Sequence, residues 1–259
     1  MDTHIAGRAY YVTGVSRGIG RAIAQSLLEE GAMVAGCARD VLGLQEFHRS
    51  LPRVVLERLV LSVTDVQDES RMASALEDAV TRFGRLDGVV ANAGAGIPGG
   101  VLDTPPTGWE EQVKVKIGSV LNLVKPALPA LRESDAARIV VMGGVTARTP
   151  EPTMAAVSAA RAAVANMTRS LAVELAPEKI LVNAVNLGAI STDRQREHYQ
   201  RSGESVSYEE WADAETVRRG ILLGRMGTPA EVAPMVMMLL SPLSSYVTGT
   251  SIDVAGGMA

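Results

Sequence analysis

The segment that most constrains this chain is Thr13-Gly14-Val15-Ser16-Arg17-Gly18-Ile19-Gly20. It follows a short run with strand character, Tyr10-Tyr11-Val12, and opens a helix-patterned stretch from Gly18 to Glu30. Glycines between a strand and a helix let the backbone turn sharply and approach a pyrophosphate closely. The first N–H groups and the positive dipole end of the helix then face the anion. A glycine trio alone is a weak signal, and the strand before it and helix after it give it weight. A purely structural turn is the weaker explanation.

The rest of the chain repeats that strand-then-helix rhythm. Apolar, β-branched runs recur at Met33–Ala38, within Val54–Val63, at Val89–Ala91, Arg138–Met142, Ile180–Val185 and Ser251–Val254. Helical patterns lie near 68–83, 108–132, 154–175 and 229–240. Strands alternating with helices of this length imply βαβ units and a parallel sheet covered on both faces. Right-handed crossovers make it doubly wound, a three-layer α/β/α fold in a single domain spanning 1–259. Hydrophobic residues at 47% suffice for one large core, and only 3% are aromatic, so Ala, Val, Leu and Met must fill it.

Several function classes drop out on composition. A net charge of −4 argues against a nucleic-acid binder. Cys37 is the only cysteine, which excludes an intrachain disulfide, and His4, His48 and His198 are too scattered for a metal site. The N-terminus lacks a signal-peptide pattern and no apolar run spans a membrane, so a soluble cytoplasmic protein is expected.

The glycine turn, Asn92-Ala93-Gly94 after the fourth strand, and a tail of Leu223-Gly224-Arg225-Met226-Gly227-Thr228-Pro229, Tyr246-Val247-Thr248-Gly249 and Asp253-Val254-Ala255-Gly256-Gly257 together resemble the short-chain dehydrogenase/reductase family. The resemblance covers essentially the whole chain. It implies a seven-stranded Rossmann-type sheet, a nicotinamide dinucleotide and a homotetramer, with a dimer as fallback. It places the cofactor on Gly14, Ser16, Arg17, Gly18, Ile19 and Gly20, with Val63 beside the adenine, Asn92 and Gly94 at the ribose, and Gly188, Ile190 and Thr192 at the nicotinamide. Two neighbours depart from the pattern: Ser62 replaces an Asp and Leu187 a Pro. At the end of the second strand, Ala38 stands where NAD-preferring members carry Asp, and Arg39 follows. Arg17 and Arg39 converging on a 2′-phosphate predict NADP(H) over NAD(H).

The resemblance also implies an Asn-Ser-Tyr-Lys tetrad, and this chain keeps the spacing without the side chains. Gly144 falls at the Ser, Val157 at the Tyr thirteen residues on, Arg161 at the Lys four residues further, and Lys116 at the Asn. Arg161 can still hold the ribose, but Val157 donates nothing. Three readings follow. A reductase would act on a substrate needing no tyrosine acid, such as an iminium or another activated C=N, C=C or C=O group. Glu151 would then pair with a substrate cation, or Lys116, Thr146, His198, Tyr199 or Tyr208 would serve as a relocated donor. A silent member would bind NADP(H) as a sensor or oligomer partner. A lyase or isomerase on the same fold ranks last. The charged segment 193–220 is expected to form a substrate lid, with Tyr199, Tyr208 and Trp211 available to stack on the substrate, whereas Trp109 is assigned to helix packing. Apolar replacements at 144 and 157 suggest a roomy pocket for a bulky, hydrophobic or cationic small molecule.

Overall fold

The computed structural model describes residues 2–258. β1 (Ala9–Thr13) leads through the glycine turn into α1 (Gly18–Glu29), followed by β2 (Met33–Ala38), α2 (Val41–Ser50), the short α3 (Arg53–Leu56), β3 (Leu59–Val63), α4 (Glu69–Phe83) and β4 (Gly88–Ala91). α5 (Pro106–Val113), a π-helical turn (Lys114–Gly118) and α6 (Ser119–Arg132) form one long helical run before β5 (Arg138–Gly144). α7 (Ala155–Leu175), β6 (Leu181–Leu187), α8 (Asp193–Ser202), α9 (Tyr208–Arg218), α10 (Pro229–Leu240) and β7 (Ser251–Val254) complete the chain.

All seven strands are parallel, in the order β3-β2-β1-β4-β5-β6-β7. Side chains alternate along each strand and therefore divide the core in two. Tyr10, Val12 and Val34 pack on Ile23 and Leu27 of α1 and Val232 and Val236 of α10. Tyr11, Val89, Ile139 and Val141 pack on α4, α6 and α7 through Met72, Leu123 and Val164. With both faces covered, the strands are almost uniformly apolar rather than alternating, which is why they read clearly as runs.

The third strand lies within the run 54–63, at Leu59–Val63, and Arg53–Leu56 ahead of it is a helical turn. The sequence reading missed α2, whose N-terminus is capped by Asp40 accepting the Gly43 N–H at 3.1 Å. At the opposite end of the sheet from the glycine turn, the buried Asp87 accepts the Ala9 N–H, the Ser134 hydroxyl and the Arg85 guanidinium. Burial opposes its ionisation, but these donors hold its carboxyl below the usual range. Among the described residues no helix is long and apolar enough to cross a membrane.

Candidate active site

The strand order reverses between β1 and β4, and a groove of about 630 Å³ opens there at the carboxyl ends of the strands. Its floor is the glycine turn. Gly14 has φ of 76°, and a Cβ on Gly20 would overlap the Gly14 carbonyl, so neither position accepts a side chain without distortion. Asn92 Nδ2 donates to the Thr13 carbonyl at 2.9 Å, and Thr13 Oγ1 accepts the N–H groups of Asn92 and Ala93, both at 2.9 Å. These bonds fix the turn after β4 against the turn after β1. Arg17 is the N-cap of α1 and makes no side-chain cap, so the leading N–H groups of that helix lack a side-chain acceptor. A glycine cradle with uncapped helix donors fits a dinucleotide pyrophosphate.

Arg17 and Arg39 both line the groove. Arg17 Nη1 donates to Glu197 Oε1 of α8 at 2.7 Å, and Arg39 lies 3.6 Å from Asp65. Asp40 and Asp65 line the groove as well; Asp40 Oδ1 accepts the Gly43 N–H and so caps α2.

A smaller cavity of about 130 Å³ continues from the groove towards β5 and α7. Lys116, Arg161 and Arg194 line it, and among the described residues no Asp or Glu does. Lys116 sits in the π-helical turn between α5 and α6. Such local widenings of a helix are frequent at functional sites. Its Nζ is 2.7 Å from where a Cβ on Gly94 would stand. Burial first, then the charges of Arg161 and Arg194, push its ammonium down to about 7. Arg161 crosses the space above Gly144, where any Cβ would overlap its guanidinium, and donates to Thr146 Oγ1 at 3.2 Å. Burial and then Arg194 lower Arg161 to about 10, which leaves it cationic at neutral pH. Arg194, in the first turn of α8, brings Nη2 to 2.5 Å from the Cβ that Gly96 lacks, next to Val157 Cγ2.

A family model described as enoyl-(acyl carrier protein) reductase matches residues 14–259. The chain is 33% identical to the 3-oxoacyl-[acyl-carrier-protein] reductase FabG of Salmonella typhimurium, over 97% of both chains. It is likewise 33% identical to a short-chain type dehydrogenase/reductase of Sinorhizobium fredii, over 98% of both. The chain is a short-chain dehydrogenase/reductase. Among solved structures, a short-chain oxidoreductase of Pseudomonas aeruginosa PAO1 described as containing an atypical catalytic center, in its NADPH-bound form, superposes with a TM-score of 0.92 at 36% identity, covering 98% of both chains. L-sorbose reductase of Gluconobacter frateurii, complexed with NADPH and L-sorbose, gives 0.94 at 26% identity, covering 100% of this chain and 98% of that one.

In this short-chain dehydrogenase/reductase Gly14, Ser16, Arg17, Gly18, Ile19, Arg39, Asn92, Gly94 and Thr192 line one groove. Others fall elsewhere. Val63 is exposed, and Thr64, Asp65 and Val66 line the groove instead. Gly188 packs against Ala255, and Ile190 is buried against Gly227. Glu151 is no free counterion: its carboxylate is buried and accepts Arg218 Nη1 at 3.0 Å. The aromatic residues of the expected lid pack on one another rather than into the cleft. The Trp211 ring lies 5.4 Å from His198, 5.7 Å from Tyr199 and 5.8 Å from Tyr208. Tyr199 donates its hydroxyl to the Val206 carbonyl at 2.6 Å. The pocket floor is not roomy and apolar either, since the Arg161 guanidinium occupies the space over Gly144 and Arg194 approaches Val157. Arg194 is the residue the sequence reading missed. Its only sequence signal was a position two residues after Thr192, in a segment crowded with other arginines.

Proposed function

We propose that this chain is an NADP(H)-dependent oxidoreductase with an atypical active site, in which Lys116 gives a proton to the oxygen of a carbonyl substrate. In the family pattern, Gly144, Val157, Arg161 and Lys116 occupy the Ser, Tyr, Lys and Asn positions, so the tyrosine acid and its lysine partner are both missing. The observation that carries the reading is the place of Lys116, which lines the small cavity beside Arg161 with its Nζ at Gly94; burial and the neighbouring charges push its ammonium down to about 7, where acid and base forms coexist at neutral pH.

Gly14, Ser16, Gly18 and the start of α1 would hold the pyrophosphate, and Arg17 and Arg39 the 2′-phosphate, which favours NADP(H) over NAD(H). Bound NADPH would supply a hydride to the substrate carbon. The protein then has to neutralise a developing alkoxide. Lys116 transfers a proton to that oxygen and becomes a neutral amine, which solvent reprotonates. Arg161, held by Thr146, replaces the family's lysine as a fixed positive charge but cannot relay protons. An iminium substrate fits less well, because three cations face the cleft and Glu151 is paired with Arg218. The segment 193–220 acts as the lid of a single domain, contributing Arg194 to the cleft. Assembly is as a homotetramer.

The test measures NADPH consumption on size-matched ketones and cyclic iminium ions, with NADH as control. Ketone reduction is expected, with kcat/KM falling as pH rises through about 7, because only the protonated ammonium donates. The charged groups facing that ammonium are Arg161 and Arg194. Lys116→Met should lower kcat by about 10²–10⁴-fold, the usual worth of a general acid. Turnover confined to iminium ions, or unchanged in Lys116→Met, would sink the lysine. NADPH binding without any turnover would favour the silent sensor or oligomer partner.

A further inference from the structure

We propose that Glu151 is a positioning residue: its carboxylate, held by Arg218 of α9, latches the lid to the loop before α7 and thereby sets the size of the ketone that the cleft admits. The inference rests on the oxidoreductase reading above for the ketone whose turnover reports it; the latch itself is read without turnover.

The stretch Thr149-Pro150-Glu151-Pro152 keeps this loop out of a helix, because each proline removes an N–H and restrains the residue before it to extended backbone. Pro152 then takes the second place of a turn closed by the Met154 N–H on the Glu151 carbonyl at 2.9 Å. A glutamate in such a loop is ordinarily solvated, yet Glu151 is only 8% exposed. A buried carboxylate needs donors. Glu151 Oε1 accepts Arg218 Nη1 at 3.0 Å and the Thr153 hydroxyl at 3.4 Å. Arg218 directs its other donors to Glu215, Nε to Oε1 at 2.6 Å and Nη2 to Oε2 at 2.9 Å. One guanidinium therefore joins a carboxylate of α9 to a carboxylate of the loop.

Three segments meet at this pair. The loop of Glu151 is stitched to the loop after β4: the Gly99 N–H donates to the Thr153 carbonyl at 2.7 Å, and the Ala155 N–H to the Gly99 carbonyl at 3.0 Å. It is also pinned to α7, where Ser158 Oγ accepts the Glu151 N–H at 3.3 Å. Ser158 follows Val157, which takes the tyrosine's place in the family pattern. A Cβ on Gly96, in the loop after β4, would stand 3.1 Å from Val157 Cγ2 and 3.4 Å from Met154 Cε. The stitched loops thus form a wall beside Val157, and α9 braces that wall through Arg218.

The brace is polar, whereas the lid's own packing is apolar. Trp211, Ile221 and Met226 cluster with Ala189, apart from the two clusters that cover the sheet. Among the described residues, the side-chain hydrogen bond that α9 makes to the 149–154 loop is Arg218 to Glu151. The Arg218 side chain is 46% exposed, so water can replace the contact. A contact of this kind opens locally without unfolding the sheet. Neither Glu151 nor Arg218 lines the dinucleotide groove, which separates the latch from cofactor binding.

The test combines steady-state kinetics of the full-length protein at saturating NADPH with amide hydrogen exchange of the same protein without substrate. The ketones are cyclohexanone and its larger fused bicyclic analogue, decalone. Glu151→Gln should raise KM for cyclohexanone by about 5-fold with kcat held within about twofold, since the loosened wall fits a compact ketone less closely. The same variant should shift the kcat/KM ratio by about 5-fold towards decalone. Arg218→Lys keeps the charge and loses the fork, and should move both quantities part of the way. NADPH affinity should stay within about twofold in each variant. Exchange should quicken in 97–104 and 208–218 and stay as it was in the glycine turn and the strands. Unchanged KM and size preference in both variants would overturn the latch. So would exchange that quickens throughout the sheet, the mark of a general loss of stability. Should Glu151→Gln fail to fold, Arg218→Lys decides by the same criteria. If the unsubstituted protein reduces neither ketone, the reductase reading fails and exchange alone judges the latch: quickening confined to the two segments supports it, and no change overturns it.

Discussion

Gly144 and Arg161 are complementary, and each explains the other. A side chain at 144 would overlap the Arg161 guanidinium, which has settled across that space and bonds to Thr146. Gly144→Ser should therefore act first as overpacking, with a loss of about 1–3 kcal/mol. Arg161→Lys withdraws the fork and should recover most of the loss in the double variant, a coupling that thermal unfolding of the four proteins measures as a cycle. If the two losses simply add, the guanidinium has an alternative place to go and the complementarity is not real. The same crowding bears on rebuilding a family tetrad. Tyr at 157, Lys at 161 and Ser at 144 have to be introduced together, and the tyrosine must also share space with Arg194.

At the scale of elements, the segment α8–α9 is tied down at several points. Glu215 receives Arg218 and Arg219, which hold its carboxyl near 2 despite its partial burial. Arg218 also reaches Glu151 in the loop before α7, and Ser207 and Glu210 form a capping box at the start of α9. The tie to the cofactor groove is Glu197 on Arg17. Both side chains are largely exposed, so this pair contributes little to stability, on the order of 0–1 kcal/mol. Its effect should fall on binding, because under the proposed function the carboxylate would compete with a 2′-phosphate for the same guanidinium. Glu197→Gln is expected to tighten NADPH by about 2–5-fold, in line with the modest worth of one exposed charge, and to leave NADH unchanged. Equal shifts for both cofactors in a fluorescence titration would show that Arg17 does not meet the 2′-phosphate. None of these contacts could be read from the chain. The segment's charge-rich composition marked it as different, but which of its side chains border the cleft or pair with the rest of the fold depends on partners far away in sequence, such as Gly96, Glu151 and Arg17.

For the whole molecule, the parallel sheet was legible because burial on both faces writes each strand as an apolar run, and the glycine turn marked the end of the sheet at which the groove opens. The cleft's charge was not, since Lys116, Arg161 and Arg194 lie on three separate helical elements that only the folded topology brings to one cavity. Assembly belongs to this scale as well. The sheet ends in β7, a four-residue edge strand preceded by Leu243 and a fully exposed Tyr246, while α5 and α7 leave Val113 and Val173 in solvent. The family resemblance implies pairing of copies through a helix pair and through the C-terminal strand, which for this chain would be α5–α7 and β7. Sedimentation velocity should therefore find a tetramer, and Tyr246→Glu should reduce it to dimers while the α5–α7 contact persists. A monomer in the unsubstituted protein would overturn both interfaces at once. A dimer unaffected by Tyr246→Glu would remove the β7 interface alone.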